Sequence, residues 1–259
     1  MKFLTEQQLA FYKEHGYIII EDFLKRPQLD TLLTSLDNLV TEKARNLNKD
    51  AGDFNLEKAE GGINGQAIAP GLLRKIQSIV DYNPEFAELA QNDRLLDLVE
   101  DLIGPTIYYH SSKLMFKPAK HGGIKPWHQD YAYWASTKPE QVTCWLALDD
   151  ATEENGCMQL IPGSHKWGLI KHGENELQVH PKDLPVEKKL IAPMKAGSLL
   201  CFHVLTFHYS GPNRSDKHRR AFIVDFDPNE RPVKANMGGD RILRKNGARA
   251  GSIQVPQAV

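Results

Sequence analysis

The chain has 259 residues, 41% hydrophobic and 25% charged, which is the make-up of a soluble globular protein long enough to bury a core without disulfides or a structural metal. Lysine and arginine number 32 against 33 aspartates and glutamates, a formal net charge of −1 that argues against a nucleic-acid or general polyanion binder. The charge is unevenly spread, −7 over residues 1–110 and +6 over 111–259, so an anionic ligand belongs more comfortably in the second half. In chain order, Thr5-Glu6-Gln7-Gln8 has capping-box spacing and predicts a helix that stops at His15-Gly16. Tyr17-Ile18-Ile19-Ile20 follows as a short β-prone run. Pro27 opens a second helix, with Leu29, Leu32, Leu33, Leu36, Leu39 and Val40 on one face. Residues 46–71, rich in Asn, Gly, Asp and Ala, predict a long loop of the kind that serves as a lid. A further helix is expected over Phe86–Leu102, ended by Gly104-Pro105.

From Thr106 the texture becomes short β-rich runs broken by Gly, Pro, Asn and Asp. Candidate strands are 106–117, 126–133, 142–148, 157–161, 189–193, 198–203, 205–210 and 219–226. The expected fold is mainly β with α: a double-sheet jelly roll or related barrel buttressed by N-terminal helices. No linker divides the chain, so one domain is expected, with a helical buttress and lid loop over 1–105, the jelly-roll core over 106–230, and a coil-like basic arm over 231–259. No apolar run reaches the length of a membrane helix and no signal-peptide pattern opens the chain. The three cysteines, Cys144, Cys157 and Cys201, include no C-x-x-C pair and fit buried thiols in a cytoplasmic protein. A monomer or homodimer is expected.

Three features of the β half carry chemistry. In Pro126-Trp127-His128-Gln129-Asp130, residues two apart on a strand point to one face, so His128 and Asp130 can aim an imidazole and a carboxylate at one point. In Thr206-Phe207-His208-Tyr209-Ser210, a distal histidine would complete a two-histidine, one-carboxylate facial triad, the signature of non-haem Fe(II) oxygenases because it leaves adjacent positions open. Eleven residues past His208 stands Arg219, followed by Arg220; either can form the bidentate pair with a carboxylate that lysine cannot, and a strand turns only one of them inward.

Together these residues resemble the phytanoyl-CoA dioxygenase family of Fe(II)/2-oxoglutarate oxygenases. The resemblance runs from Gly16–Ile20 through Pro126–Asp130, Asn155-Gly156-Cys157 and Ile161-Pro162-Gly163-Ser164-His165-Lys166 to His208–Asn213 and Arg219. It implies His128, Asp130 and His208 as iron ligands, Arg219 and Ser210 as holders of the distal carboxylate of 2-oxoglutarate, and Trp145 as a wall of the co-substrate pocket. Spacing from the distal histidine favours Arg219 over Arg220. Lys113 stands where some relatives have methionine beside the co-substrate; its roles stay open among contacting a carboxylate, binding an anionic substrate and reaching to solvent. The resemblance further implies Fe(II), 2-oxoglutarate and O2 as cofactor and co-substrates, with oxidation of a small-molecule substrate, and the positive second half with Lys113 leans toward an anionic one. A carboxylate at Asp130 favours hydroxylation over halogenation, since related halogenases carry a small residue there. The rival readings are a metal-binding barrel of another activity and a non-catalytic binding module. Elsewhere His165 reads as structural, Asp149-Asp150 and Glu153-Glu154 as a solvated turn beside Asn155-Gly156, and the basic tail (Arg241, Arg244, Lys245, Arg249) as a solvated arm.

Overall fold

In the computed structural model, which describes residues 1–57, 72–134, 138–173, 177–230 and 241–254, the first helix is closed at both ends by its own sequence. At the start of α1 (Glu6–His15) the Thr5 hydroxyl accepts from the Gln8 N–H, and Gln8 Oε1 accepts from the Thr5 N–H at 2.9 Å. Gly16 ends it in the left-handed region, at φ 77°. Strand β1 (Tyr17–Ile20) follows, then α2 (Arg26–Lys43), which buries Leu29, Leu32, Leu36 and Leu39 as the three-and-four spacing requires.

The helix expected over 86–102 is two helices, α3 (Pro84–Ala90) and α4 (Asp93–Ile103). Asn92 breaks it, because its side chain accepts from the Arg94 N–H and starts a new first turn. The loop expected over 46–71 is also corrected. Phe54 and Leu56 alternate into the core on strand β2 (Phe54–Leu56), which pairs antiparallel with β3 (Leu73–Gln77); residues 58–71 lie outside the described residues.

The β half follows the expected order: β4 (Ile107–Lys117), β5 (Lys125–His128), β6 (Val142–Ala147), β7 (Met158–Leu160), β8 (Leu190–Ala192), β9 (Leu199–His203), β10 (His208–Ser210) and β11 (Arg219–Asp227). The strand expected over 126–133 ends at His128, and a turn of helix, α5 (Tyr131–Trp134), takes its place. Here the Ala132 and Tyr133 N–H groups turn back to the Gln129 and Asp130 carbonyls instead of joining a ladder. The basic tail is corrected as well. Strands β12 (Arg241–Lys245) and β13 (Ala248–Arg249) extend the sheet, Leu243 is fully buried, and Arg244 pairs with Asp97 at 2.7 Å and Glu100 at 2.9 Å on α4.

Two antiparallel sheets face each other. The described strands of the larger run β1-β9-β6-β11-β4-β12-β13, with β3 on the other stretch of β4 and β2 beyond it; the smaller runs β5-β10-β7-β8. This is a jelly roll. The outer face of the large sheet, including Cys144, Leu146, Cys201 and Phe222, packs on the helices with Leu36, Phe86 and Leu96. Its inner face, including Trp145, Ala147, Leu200, Phe202, Ala221 and Ile223, meets Met158 and Leu160 of the small sheet. Both faces of β6 are therefore covered, which is why all six of its residues are buried.

A candidate iron and 2-oxoglutarate site

Cross-strand pairing brings the two histidines together. His208 on β10 stands directly opposite His128 on β5, and their ring centroids are 4.0 Å apart. Each ring places Nδ1 against the carbonyl two residues before it, Pro126 O at 2.8 Å for His128 and Thr206 O at 3.0 Å for His208. A carbonyl can only accept, so Nδ1 carries the proton and Nε2 presents its lone pair, the tautomer a metal ligand needs. Both Nε2 atoms face Asp130 Oδ1, at 3.5 and 3.6 Å. The three residues are buried, and their ligand atoms lie within 4.8 Å of one another. Burial pushes the His128 imidazole down to about 3, with the His208 charge adding to the effect, and burial lowers His208 too. Burial alone would raise the Asp130 carboxyl; His208, Lys113 and His128 outweigh it and hold the group well below the usual carboxylate range. Two neutral imidazoles and one carboxylate converge, a donor set that fits Fe(II).

Asp130 owes its placement to neighbours that carry no motif signal. Gln129 is fully buried and turned the other way: its Nε2 donates to Leu205 O at 2.7 Å and Gly168 O at 2.9 Å, and its Oε1 accepts from the Ile170 N–H at 2.9 Å. Thr143 Oγ1 on β6 lies 3.0 Å from Asp130 Oδ2 and 2.9 Å from Asp225 Oδ1, so its single proton serves one carboxylate at a time. Asp225 is fully buried and accepts from Ser111 Oγ at 2.5 Å. Alternation along β6 and β11 would have placed Thr143 and Asp225 on the inner face, but a lone Thr and Asp in apolar strands give no spacing to mark them.

Arg219 and Arg220 separate as alternation demands. Arg220 turns outward and pairs with Asp149 at 2.9 Å and with Asp37 of α2 at 3.0 Å. Arg219 turns inward and is 2% exposed, and its guanidinium carbon sits 5.2 Å over the Trp145 ring. Its Nε and Nη1 have no hydrogen-bond partner among the described residues. Burial pushes this guanidinium down to about 10, still protonated at neutral pH. A buried cation with idle donors is costly unless a ligand satisfies it, and a carboxylate is the group its fork fits. Ser210 is buried on the His208 face of β10, opposite Met158, whose neighbour Cys157 feels the Arg219 charge. Lys113, on the inner face of β4, lies apart from this end: its Nζ is 3.8 Å from Asp225 Oδ2 and 5.5 Å from the Trp134 ring. A surface groove of about 420 Å3 over Trp127, Val179 and Tyr209 lies on the opposite face of β5 and β10 from the histidines.

The remaining candidates are structural. His165 Nε2 bonds Lys13 O at 3.2 Å, and Asn155 pins the acidic turn through the Thr152 N–H and Asp150 O, both at 2.8 Å. Among the described residues no helix is long and apolar enough to cross a membrane.

A jelly roll with a buried two-histidine, one-carboxylate cluster on one sheet and an inward arginine on the facing sheet defines the iron- and 2-oxoglutarate-dependent oxygenases as a class. The chain belongs to the phytanoyl-CoA dioxygenase family, whose model matches residues 12–221, and it is a 2-oxoglutarate-dependent non-haem iron dioxygenase. It is 30% identical over 249 residues to the phytanoyl-CoA dioxygenase of Arabidopsis thaliana, covering 85% of this chain and 88% of that one. It is 28% identical over 232 residues to the "Probable alpha-ketoglutarate-dependent hypophosphite dioxygenase" of Stutzerimonas stutzeri, covering 86% and 78%. The fold matches EctD from S. alaskensis with 2-oxoglutarate and 5-hydroxyectoine at a TM-score of 0.74 and 20% identity, over 98% of this chain and 87% of that one.

Proposed function

We propose that this dioxygenase hydroxylates a small molecule at an unactivated C–H, with iron held by His128, Asp130 and His208. Arg219 and Ser210 fix the far carboxylate of 2-oxoglutarate, and Trp145 walls its pocket. Iron with 2-oxoglutarate supplies the oxidation, in which the keto acid becomes succinate and CO2 and dioxygen is consumed. The chain's own residues bind, orient and exclude water. The carbonyls of Pro126 and Thr206 hold both imidazoles with Nε2 toward the metal position. Phe202, whose ring centroid is 4.6 Å from that of His208, covers that ring on the side of the large sheet. The observation that carries the reading is the buried Arg219 guanidinium, whose Nε and Nη1 have no hydrogen-bond partner among the described residues, turned into the interior between the sheets that also holds the ligand triad. The relatives are named for different substrates, hypophosphite and phytanoyl-CoA among them, so their names do not select one. A cytoplasmic setting belongs to the same proposal, supported by three free buried thiols.

Succinate release from 2-oxoglutarate in air with added Fe(II) tests the reading. Asp130→Ala is expected to lower it at least a hundredfold with the fold intact by circular dichroism; turnover at the wild-type rate would move the iron site elsewhere.

A further inference from the structure

Two ammonium groups approach the metal triad from opposite sheets. Lys113, Met115 and Lys117 alternate onto the inner face of β4, where Lys113 stands opposite Ile223 and Lys117 opposite Arg219. Lys113 Nζ is ion-paired with Asp225 Oδ2 at 3.8 Å, a contact that engages one of its three N–H donors and leaves others for a ligand. From β5, Lys125 Nζ donates to the Tyr133 hydroxyl at 2.8 Å, and no described carboxylate forms an ion pair with it. Tyr133 in turn presents an edge to His128, with ring centroids 5.9 Å apart. Lys125, Tyr133 and His128 thus form one continuous wall, and Lys113 faces it beside Trp134.

We propose that Lys113 and Lys125 form the anion-binding side of the substrate site, so that the molecule this dioxygenase oxidises is a small acid bearing a carboxylate or phosphonate. The proposal rests on the iron and co-substrate assignment above. Position separates the two anion sites. Lys113 and Lys117 are four residues apart on one strand, about 13 Å between their backbone positions, and the Lys113 ammonium leans further from the Arg219 end, toward Asp225, which stands opposite Ser111. Arg219 marks the end taken by 2-oxoglutarate, and the lysine pair marks the end beyond Asp130.

Charge points the same way. Burial pushes Lys125 down to about 8, and Lys113, Arg74 and Lys75 push in the same direction, with Asp130 the countering carboxylate. Burial would also lower Lys113, but Asp225 and Asp130 outweigh it and raise the group, so it stays charged. With the metal dication and the 2-oxoglutarate dianion in place, the charges of Asp130 and Arg219 cancel. Asp225 balances Lys113, and Lys125 is left unopposed among the described residues. An anionic group between the two ammoniums satisfies both, whereas a neutral substrate leaves the half-buried Lys125 charge with a neutral hydroxyl and ring but no ion-paired carboxylate among the described residues. The anchored acid would set its C–H bonds beside His128 and Asp130.

The test is an anaerobic titration of the Fe(II)- and 2-oxoglutarate-loaded protein with carboxylic and phosphonic acids of two to six carbons and with their neutral amides and esters. The readout is the perturbation of the iron-to-2-oxoglutarate charge-transfer absorption when a molecule enters beside the metal. At least one acid is expected to bind and its neutral counterpart to bind at least tenfold more weakly. Lys125→Gln and Lys113→Gln should each weaken the acid tenfold or more while shifting 2-oxoglutarate affinity less than threefold. Equal binding of acid and amide, binding of no acid, or full acid affinity in either variant overturns the proposal. A charge-transfer band that never forms with 2-oxoglutarate overturns the underlying iron assignment instead, so the two failures are distinguishable.

Discussion

At the scale of single residues, the candidate site is held by groups one step removed from the metal position. The Pro126 and Thr206 carbonyls set the histidine tautomers, Gln129 locks the backbone around Asp130, and Thr143 ties the free oxygen of Asp130 to buried Asp225. Partners of this kind orient metal ligands, and losing one typically lowers metal affinity about ten- to a hundredfold. Thr143→Val keeps the shape and removes the hydroxyl. Fe(II) affinity measured by chelator competition is therefore expected to fall within that range, and stability by about 1–3 kcal/mol, because a buried carboxylate loses a donor. Unchanged affinity would show that Asp130 is positioned by its backbone alone. Of the candidate site, His128, Asp130 and His208 were legible in the sequence because metal chemistry restricts ligand types and spacing, and Arg219 because the family resemblance places an arginine eleven residues after the distal histidine. Thr143, Gln129 and Asp225 were not, since what distinguishes them is the partner that tertiary packing brings.

At the scale of elements, the helical buttress reaches the site through the junction of α1 and β1. The Gly16 carbonyl accepts from the His203 N–H at 2.9 Å and from Thr206 Oγ1 at 2.8 Å, fixing the segment that leads into His208. A Cβ on Gly16 would fall 2.3 Å from His165 Nδ1 and 2.7 Å from Thr206 Oγ1, on a backbone already at φ 77°. Gly16→Ala is therefore expected to cost about 1–3 kcal/mol, read as a drop of several degrees in Tm, and to weaken Fe(II) binding as well. A loss of Tm with iron affinity intact would confine the junction to a packing role. Strand alternation foretold that only one of Arg219 and Arg220 turns inward, spacing from His208 favoured Arg219, and β-run length located most strands to within a residue or two. It failed at Gln129–Trp134, where side-chain bonds from Gln129 and His172 end the strand early, and at β2 and β12, whose pairing partners are remote in sequence.

At the scale of the whole molecule, the charge asymmetry has two uses. Much of it is neutralised internally: Arg244 pairs with Asp97 and Glu100, Arg241 with Asp81, Arg220 with Asp37 and Lys166 with Glu14, each joining a basic residue of the second half to an acidic one of the first. The tail that composition marked as a solvated arm is thereby clamped to α4, a pairing that net charge per segment cannot reveal. Inside the sandwich the described positive groups include Arg219, Lys117 beside it, and the lysines around the triad, where a dianionic keto acid and an acidic substrate would sit. The central claim is that the inward arginine holds 2-oxoglutarate beside an iron carried by His128, Asp130 and His208. Anaerobic titration of the Fe(II)-loaded protein with 2-oxoglutarate, followed by charge-transfer absorption, tests it most directly. Wild type and Arg220→Lys should develop the band at matching concentrations, and Arg219→Ala should need at least tenfold more 2-oxoglutarate. Equal affinity in Arg219→Ala, or no band in the wild type, would contradict the account.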